Sequence, residues 1–285
     1  MDWNFVVLDT DARQRYICDY LPGKKQSVAW KSDCEEEVCI EWLKAADCII
    51  LPTPVAKLGK YQELEEMLKA NLIKCKMVFG GVVTPKWESW CSERNILCYD
   101  LMREETVAQK NAAITAEATV AEILQNSLYS ISGQKIVVTG YGRCGRTVAN
   151  LLAAMGAKVT VLARGACDRK RAKADGHNAV DFSYAAEEAY GTRTFVNTVP
   201  ARVITGALIG EMHPKTLVVD IASAPGGCDL EAAKECDIKV VQALGLPARY
   251  TTKSSAKVFA DAICSKMLPH FIREEEHAWT FQIIL

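Results

Sequence analysis

Gly140-Tyr141-Gly142-Arg143-Cys144-Gly145 has the spacing of a loop that cradles a pyrophosphate. The first glycine of such a loop makes a tight turn, and the second lets backbone N–H groups approach the phosphates. The third lets the following helix pack closely on its strand, with its positive end facing the anion. The chemistry this serves is hydride transfer with a dinucleotide. The flanks agree: Ile136, Val137 and Val138 form an apolar run before the loop, an amphipathic segment follows to Met155, Gly156 stops it, and a second strand runs from Val159 to Leu162. Where an NAD-binding unit ends that second strand with Asp or Glu for the ribose 2′-hydroxyl, this chain has Ala163 and Arg164, with Arg169, Lys170 and Arg171 close behind. A missing carboxylate beside cations favours a 2′-phosphate, which predicts NADP; the alternative for Arg164 is an exposed cation at a helix start. Cys144 sits at the helix N-terminus, a position that lowers a thiol pKa, although loop packing is its first expected role.

Three further loops follow apolar strands of the same half, where ligands of doubly wound sheets sit. They are Asn197-Thr198-Val199-Pro200, Ala222-Ser223-Ala224-Pro225-Gly226-Gly227 and Gly245-Leu246-Pro247. Asn197, Thr198, Val199, Pro200, Ala222, Ser223 and Gly245 join Gly140, Gly142, Arg143, Cys144, Gly145, Ala163 and Arg164 as expected cofactor-binding residues.

The elements that must hold these loops are readable as alternating strands and helices. Strands are predicted at Ala179–Phe182, Thr194–Thr198, Leu217–Ile221 and Lys239–Val241, completing a six-stranded doubly wound Rossmann sheet, with Asp229 capping a helix over 230–235. The first half reads as a smaller α/β domain: strands at 5–8, 48–51, 77–79 and 96–99, and helices from Ala12, around 61–72 and near 87–94. Glu104 to Asn126, free of Gly and Pro, reads as a long linker helix beside which a cleft is expected. Ser255 to Glu276 is a further helix returning to the first domain. The expected boundaries are 1–126, 127–254 and 255–285.

At 285 residues and 49% hydrophobic, the chain has material for two domains with their own cores. A net charge of −1 leaves no footprint for nucleic acid. No apolar run reaches membrane-span length and Met1-Asp2-Trp3-Asn4 lacks a signal-peptide start, so a cytoplasmic protein is expected. The 12 cysteines contain no CxxC and read as small core residues kept reduced, with no metal site. The apolar tail 281–285, with Phe271 and Trp279, offers contact surface for a partner or for a homo-oligomer.

Taken with Asp11-Ala12-Arg13-Gln14, Ile50-Leu51-Pro52, Phe79-Gly80-Gly81 and Asn111, Thr115 and Glu117 in the linker helix, these motifs resemble the A-subunit family of bacterial dipicolinate synthases. The likeness runs over nearly the whole chain and is strongest from Gly133 to Ala262. It implies an NADP-dependent enzyme that oxidises a dihydrodipicolinate, or its hydrated precursor from the lysine pathway, to the spore metabolite dipicolinate in the mother-cell cytoplasm. It also implies a second, flavoprotein-like partner, the B-subunit. Thr10, Ala224 and Ala248 depart from the family pattern, and at Ala224 a cation is lost beside the expected cleft.

Such an oxidation moves a hydride to the nicotinamide and a proton to a base, while a dicarboxylate calls for cationic clamps. Arg13, Arg249 and Lys253 are the clamp candidates, each against the alternative of an ordinary exposed cation. Asp11, Pro52, Gly80, Gly226, Gly227 and Pro247 complete the expected substrate site. Glu117 is either a base raised towards neutrality by burial or a carboxylate bonded to backbone at the hinge. Asn111 and Thr115 share a helical face and bond either the substrate or a neighbouring loop. His177, His213, His270 and His277 lie outside these loops, which counts against a 2-hydroxyacid dehydrogenase with a histidine acid. An alanine-dehydrogenase-like enzyme fits the Gly226-Gly227 loop better but has a longer first domain. A non-catalytic, NADP-sensing subunit is the third alternative, and the loss of charge at Ala224 favours it.

Overall fold

Short runs of β-branched and aliphatic residues, buried on both faces, build the inner strands of two wholly parallel sheets. The computed structural model describes residues 3–8, 12–22, 24–28, 36–60 and 62–282, with backbone alone for 24–28, 36–39, 60, 62 and 270–282. Asp11, the tail 283–285 and the side chains of Phe271, Trp279, Phe281, His270 and His277 therefore lie outside the described residues.

The first sheet takes its strands from β1 (Asn4–Leu8), β2 (Lys24–Val28), β3 (Cys48–Ile50), β4 (Met77–Gly80) and β5 (Leu97–Asp100), in the order β2-β1-β3-β4-β5. Between them lie α1 (Ala12–Tyr20), α2 (Glu36–Ala45), α3 (Gln62–Asn71) and α4 (Pro85–Ser92). Alternation along each strand divides the core in two. Val6, Leu8, Ile49 and Val78 face Leu43, Leu68 and Trp87 of α2–α4. Phe5, Val7, Ile50 and Phe79 face Ile17 of α1 and Phe259, Ile263 and Met267 of the C-terminal helix.

α5 (Glu105–Asn126) leads into the second sheet: β6 (Lys135–Thr139), α6 (Arg143–Ala154), β7 (Lys158–Leu162), α7 (Ala166–Ala174), β8 (Asn178–Val180), α8 (Ala185–Ala189), β9 (Thr194–Asn197), α9 (Gly206–Gly210), β10 (Leu217–Asp220), α10 (Leu230–Glu235) and β11 (Lys239–Gln242). The order is β11-β10-β9-β6-β7-β8, the two-halved arrangement of dinucleotide-binding folds. The Asp229 carboxylate caps α10 by accepting from the Ala232 N–H at 3.3 Å. α11 (Leu246–Arg249) and α12 (Thr252–Gln282) close the chain.

The chain forms two compact units, Met1–Lys110 with Thr251–Leu285, and Asn111–Tyr250. α5 belongs to both, with Val107 in the first core and Ala116, Ala118 and Ile123 in the second. The boundary expected at 126/127 therefore falls earlier, within α5, and two elements absent from the sequence pattern, β2 and α2, complete the first unit. β2 is an edge strand, and Lys24-Lys25-Gln26-Ser27 has no apolar alternation to betray it; charge on an edge is how sheets discourage further pairing.

Candidate nucleotide-binding site

The second sheet reverses its strand order between β6 and β9, and a cavity of about 510 Å³ opens beyond the carboxyl ends of those strands. Gly140 to Gly145, Ala163, Arg164, Gly165, Asp168, Phe182, Thr198, Val199 and Pro200 line it. Gly140 has φ +85°, and a Cβ there would lie 2.7 Å from Thr198 Oγ1. A Cβ on Gly145 would stand 2.4 Å from the Gly140 carbonyl, so α6 meets its strand only without one. Gly142, the N-cap of α6, has open space in front of it. The N–H groups of a helix start and a cradle that side chains would fill together fit a dinucleotide pyrophosphate.

A row of polar side chains ends three neighbouring strands beneath this cavity. Thr139, Asn197 and Asp220 are register partners across β6, β9 and β10, and all are buried. Thr139 Oγ1 donates to Asn197 Oδ1 at 2.5 Å, and Asn197 Nδ2 donates to Asp220 Oδ1 at 2.7 Å and to the Val199 carbonyl at 3.0 Å. Asp220 also accepts the Ala222 N–H at 3.1 Å and the Gly227 N–H at 2.8 Å. Its buried carboxylate thus meets three N–H donors, the condition under which a buried charge is tolerated. Two expected site residues are drawn into this row. Asn197 does not line the cavity; its amide is consumed in tying the loops together. Gly227, expected in the substrate site, is a close approach of backbone to this network, since a Cβ there would lie 2.3 Å from Asn197 Nδ2. Ala222 is buried in the same network, whereas Ser223 is exposed. Sequence reasoning passed over Asp220; the available signal was an acid closing an otherwise apolar strand in register with Asn197.

At the far end of the cavity the four cations noted in the sequence separate. Arg164 lines the cavity and forms no ion pair among the described residues. Arg169 turns away: its Nη1 donates to the carbonyls of Ala163 at 2.7 Å and Arg164 at 2.6 Å and pairs with Asp181 at 2.6 Å. Arg171 pairs with Asp168, and Lys170 is exposed.

The glycine loop is tethered from below. Tyr141 donates its hydroxyl to Asp175 Oδ2 at 2.6 Å, and Arg146 grips the same carboxylate at 2.8 and 3.1 Å. Hydrogen bonds from Arg146 and then Tyr141 hold the Asp175 carboxyl below its ordinary range. Burial pushes the His177 imidazole down, with Nε2 2.7 Å from Asn150 Oδ1. Burial also raises the Cys144 thiol, the opposite direction to that expected from its helix-start position, because desolvation outweighs neighbouring Arg143.

The expected catalytic and substrate residues divide between the two units. Glu117 is exposed, so the desolvation premise for a base is absent. The buried carboxylate of α5 is Glu122, paired with Arg249 at 3.0 Å, which removes Arg249 from the clamp candidates. Thr115 spends its hydroxyl proton on the Asn111 carbonyl at 2.7 Å, while Asn111 Oδ1 is buried with no hydrogen-bond partner. Arg13 is 5% exposed, donates to the Thr53 carbonyl at 3.4 Å and lies 5.1 Å from the Phe259 ring centroid, so it is not the open clamp expected. Gly80 and Gly81 pack against Val55 and Thr53, beside buried Pro52. Exposed Lys253 sits over Tyr16, Pro247 is buried in α11, and Gly245 begins that helix with φ +65°. Among the described residues no cluster of His, Cys, Asp or Glu is placed to hold a metal, and no helix is long and apolar enough to cross a membrane.

Residues 97–224 match the NAD-binding domain of D-isomer-specific 2-hydroxyacid dehydrogenases. The dipicolinate synthase A-subunit of Bacillus subtilis strain 168 is 30% identical over 199 residues, 70% of this chain and 67% of that protein. The crystal structure of the dipicolinate synthase A-subunit from Bacillus halodurans is similar at TM-score 0.78 and 28% identity, covering 93% of this chain and 97% of that one. The crystal structure of its counterpart from Bacillus subtilis is similar at TM-score 0.76 and 25% identity, covering 96% and 98%.

Proposed function

This chain belongs to the dipicolinate synthase A-subunit family, and on that premise we propose that it oxidises a dihydrodipicolinate, or its hydrated precursor, to dipicolinate with NADP. A dehydrogenase-type nucleotide domain and its relatives make it an oxidoreductase with a nicotinamide cofactor. The observation that carries the choice of NADP is Arg164, lining the cavity with no ion pair among the described residues, beside Ala163 where NAD-binding units place an acid. The cofactor supplies the hydride acceptor, and formation of an aromatic ring supplies the driving force. The protein binds and orients: backbone N–H groups at the start of α6 would hold the pyrophosphate, and the Thr139–Asn197–Asp220 row keeps the loops after β9 and β10 in place. Among the catalytic candidates Asn111 is the first to test, because a buried carbonyl oxygen without a donor is satisfied by a substrate or water hydrogen.

We assign the reaction to the mother-cell cytoplasm and to a pair with a flavoprotein-like B-subunit, as the family resemblance implies. The test follows NADPH absorbance with dihydropyridine dicarboxylate generated in place, with and without that second protein. NADPH formation that rises when the flavoprotein-like partner is added supports the reading. No NADPH formed under either condition, with NADP still bound, contradicts it and favours the sensing role.

A further inference from the structure

We propose that Asp168 sets cofactor choice in opposition to Arg164, by accepting hydroxyls of the adenosine ribose. This inference deepens the NADP reading and rests on the same cavity. The usual acid is missing at the end of β7, yet a carboxylate reaches the cavity from another direction. Gly165 is the N-cap of α7, and Asp168 in the first turn lines the cavity together with Arg164. Its two oxygens are not equivalent. Oδ1 pairs with Arg171 one turn along the helix, whereas Oδ2 lies over Gly165, where a Cβ would come within 3.3 Å of it. The absent side chain at Gly165 therefore leaves room for an acceptor at the rim of the cavity.

The loop carrying both groups is held still. Arg169 ties the carbonyls of Ala163 and Arg164 to Asp181, which precedes the cavity-lining Phe182. Arg164 and Asp168 thus face the same ligand from a rigid turn, one cationic and one anionic. A ribose diol donates hydrogen bonds and satisfies a carboxylate. A 2′-phosphate offers acceptors and negative charge, so it gains from Arg164 and is repelled by Asp168. Arg171 already neutralises part of Asp168, which explains how the pocket keeps an acid without excluding the phosphate.

Asp168→Ala is expected to weaken NAD binding about fivefold or more and leave NADP binding unchanged or tighter, shifting the affinity ratio towards NADP by about tenfold. Equilibrium titration of the full chain with NAD and NADP reads both constants, and a melting curve checks the fold. Arg171, freed in that variant, is itself a cation, so Asp168→Ala with Arg171→Gln must keep the shift. If both constants stay unchanged, move together, or the shift vanishes in the double variant, Asp168 is not the determinant. A parent that binds NAD more tightly while Asp168→Ala still moves the ratio would overturn the NADP preference and leave the role of Asp168 standing.

Discussion

The two sheets reverse strand order in the same manner, between β1 and β3 in one and between β6 and β9 in the other, yet the two switch points are finished differently. In the second sheet the strand ends carry Thr139, Asn197 and Asp220, whose mutual hydrogen bonds hold loops open around a cavity. In the first, Arg13 is buried against Phe259 and Thr53, and a Cβ on Gly80 or Gly81 would meet the side chain of Val55 or Thr53. Similar topology makes a site possible, and what the side chains at the strand ends bond to shapes the loops around it.

The comparison breaks most sharply at Asp220. Removing its carboxylate by Asp220→Ala takes one of two acceptors from the Asn197 amide and leaves two loop N–H groups without one, and is expected to cost about 2–6 kcal/mol in urea unfolding together with nucleotide binding. Unchanged stability would mean that water replaces the carboxylate and that the row is not what holds the loops.

Gly145→Ala forces a methyl to within 2.4 Å of the Gly140 carbonyl. Overpacking of this kind costs about 1–3 kcal/mol, and it should appear chiefly as weaker nucleotide binding, since α6 must move away from the loop. Arg13→Ala sharpens the contrast from the other side. It should lower stability by about 1–3 kcal/mol through lost packing on Phe259 while leaving nucleotide affinity unchanged. A stable variant that no longer binds dipicolinate would restore Arg13 as a clamp.

The smallest expected effect is on pH dependence. His177 has its pKa lowered below 6.5 by burial, so the folded state favours the neutral ring and the unfolded chain binds the proton first. Its contribution is complete above about pH 6.5, is lost as pH falls from there through the lower folded value, and then levels off. His177→Gln should flatten that part of the stability profile; a slope that persists belongs to other groups.

What the sequence disclosed follows physical necessity. The glycine loop was legible because a backbone contact and a positive φ admit no substitute at Gly145 and Gly140, and the inner strands because burial on both faces demands continuous apolar runs. β2 was not, since an edge strand need not be apolar. Asn197 ends β9 and Arg13 lies in the first turn of α1, and motif spacing does not say which way an amide or guanidinium points. Glu117 and Glu122 sit on one helix, and only the fold tells which of them is covered.

The most direct test of the account is a paired titration of NADP and NAD against the parent and Arg164→Ala. A charged hydrogen bond to a 2′-phosphate contributes about 1.5–3 kcal/mol, so the parent should prefer NADP by about tenfold or more and the variant should lose that preference with NAD affinity unchanged. Equal affinities in the parent, or a ratio that survives Arg164→Ala, would contradict it.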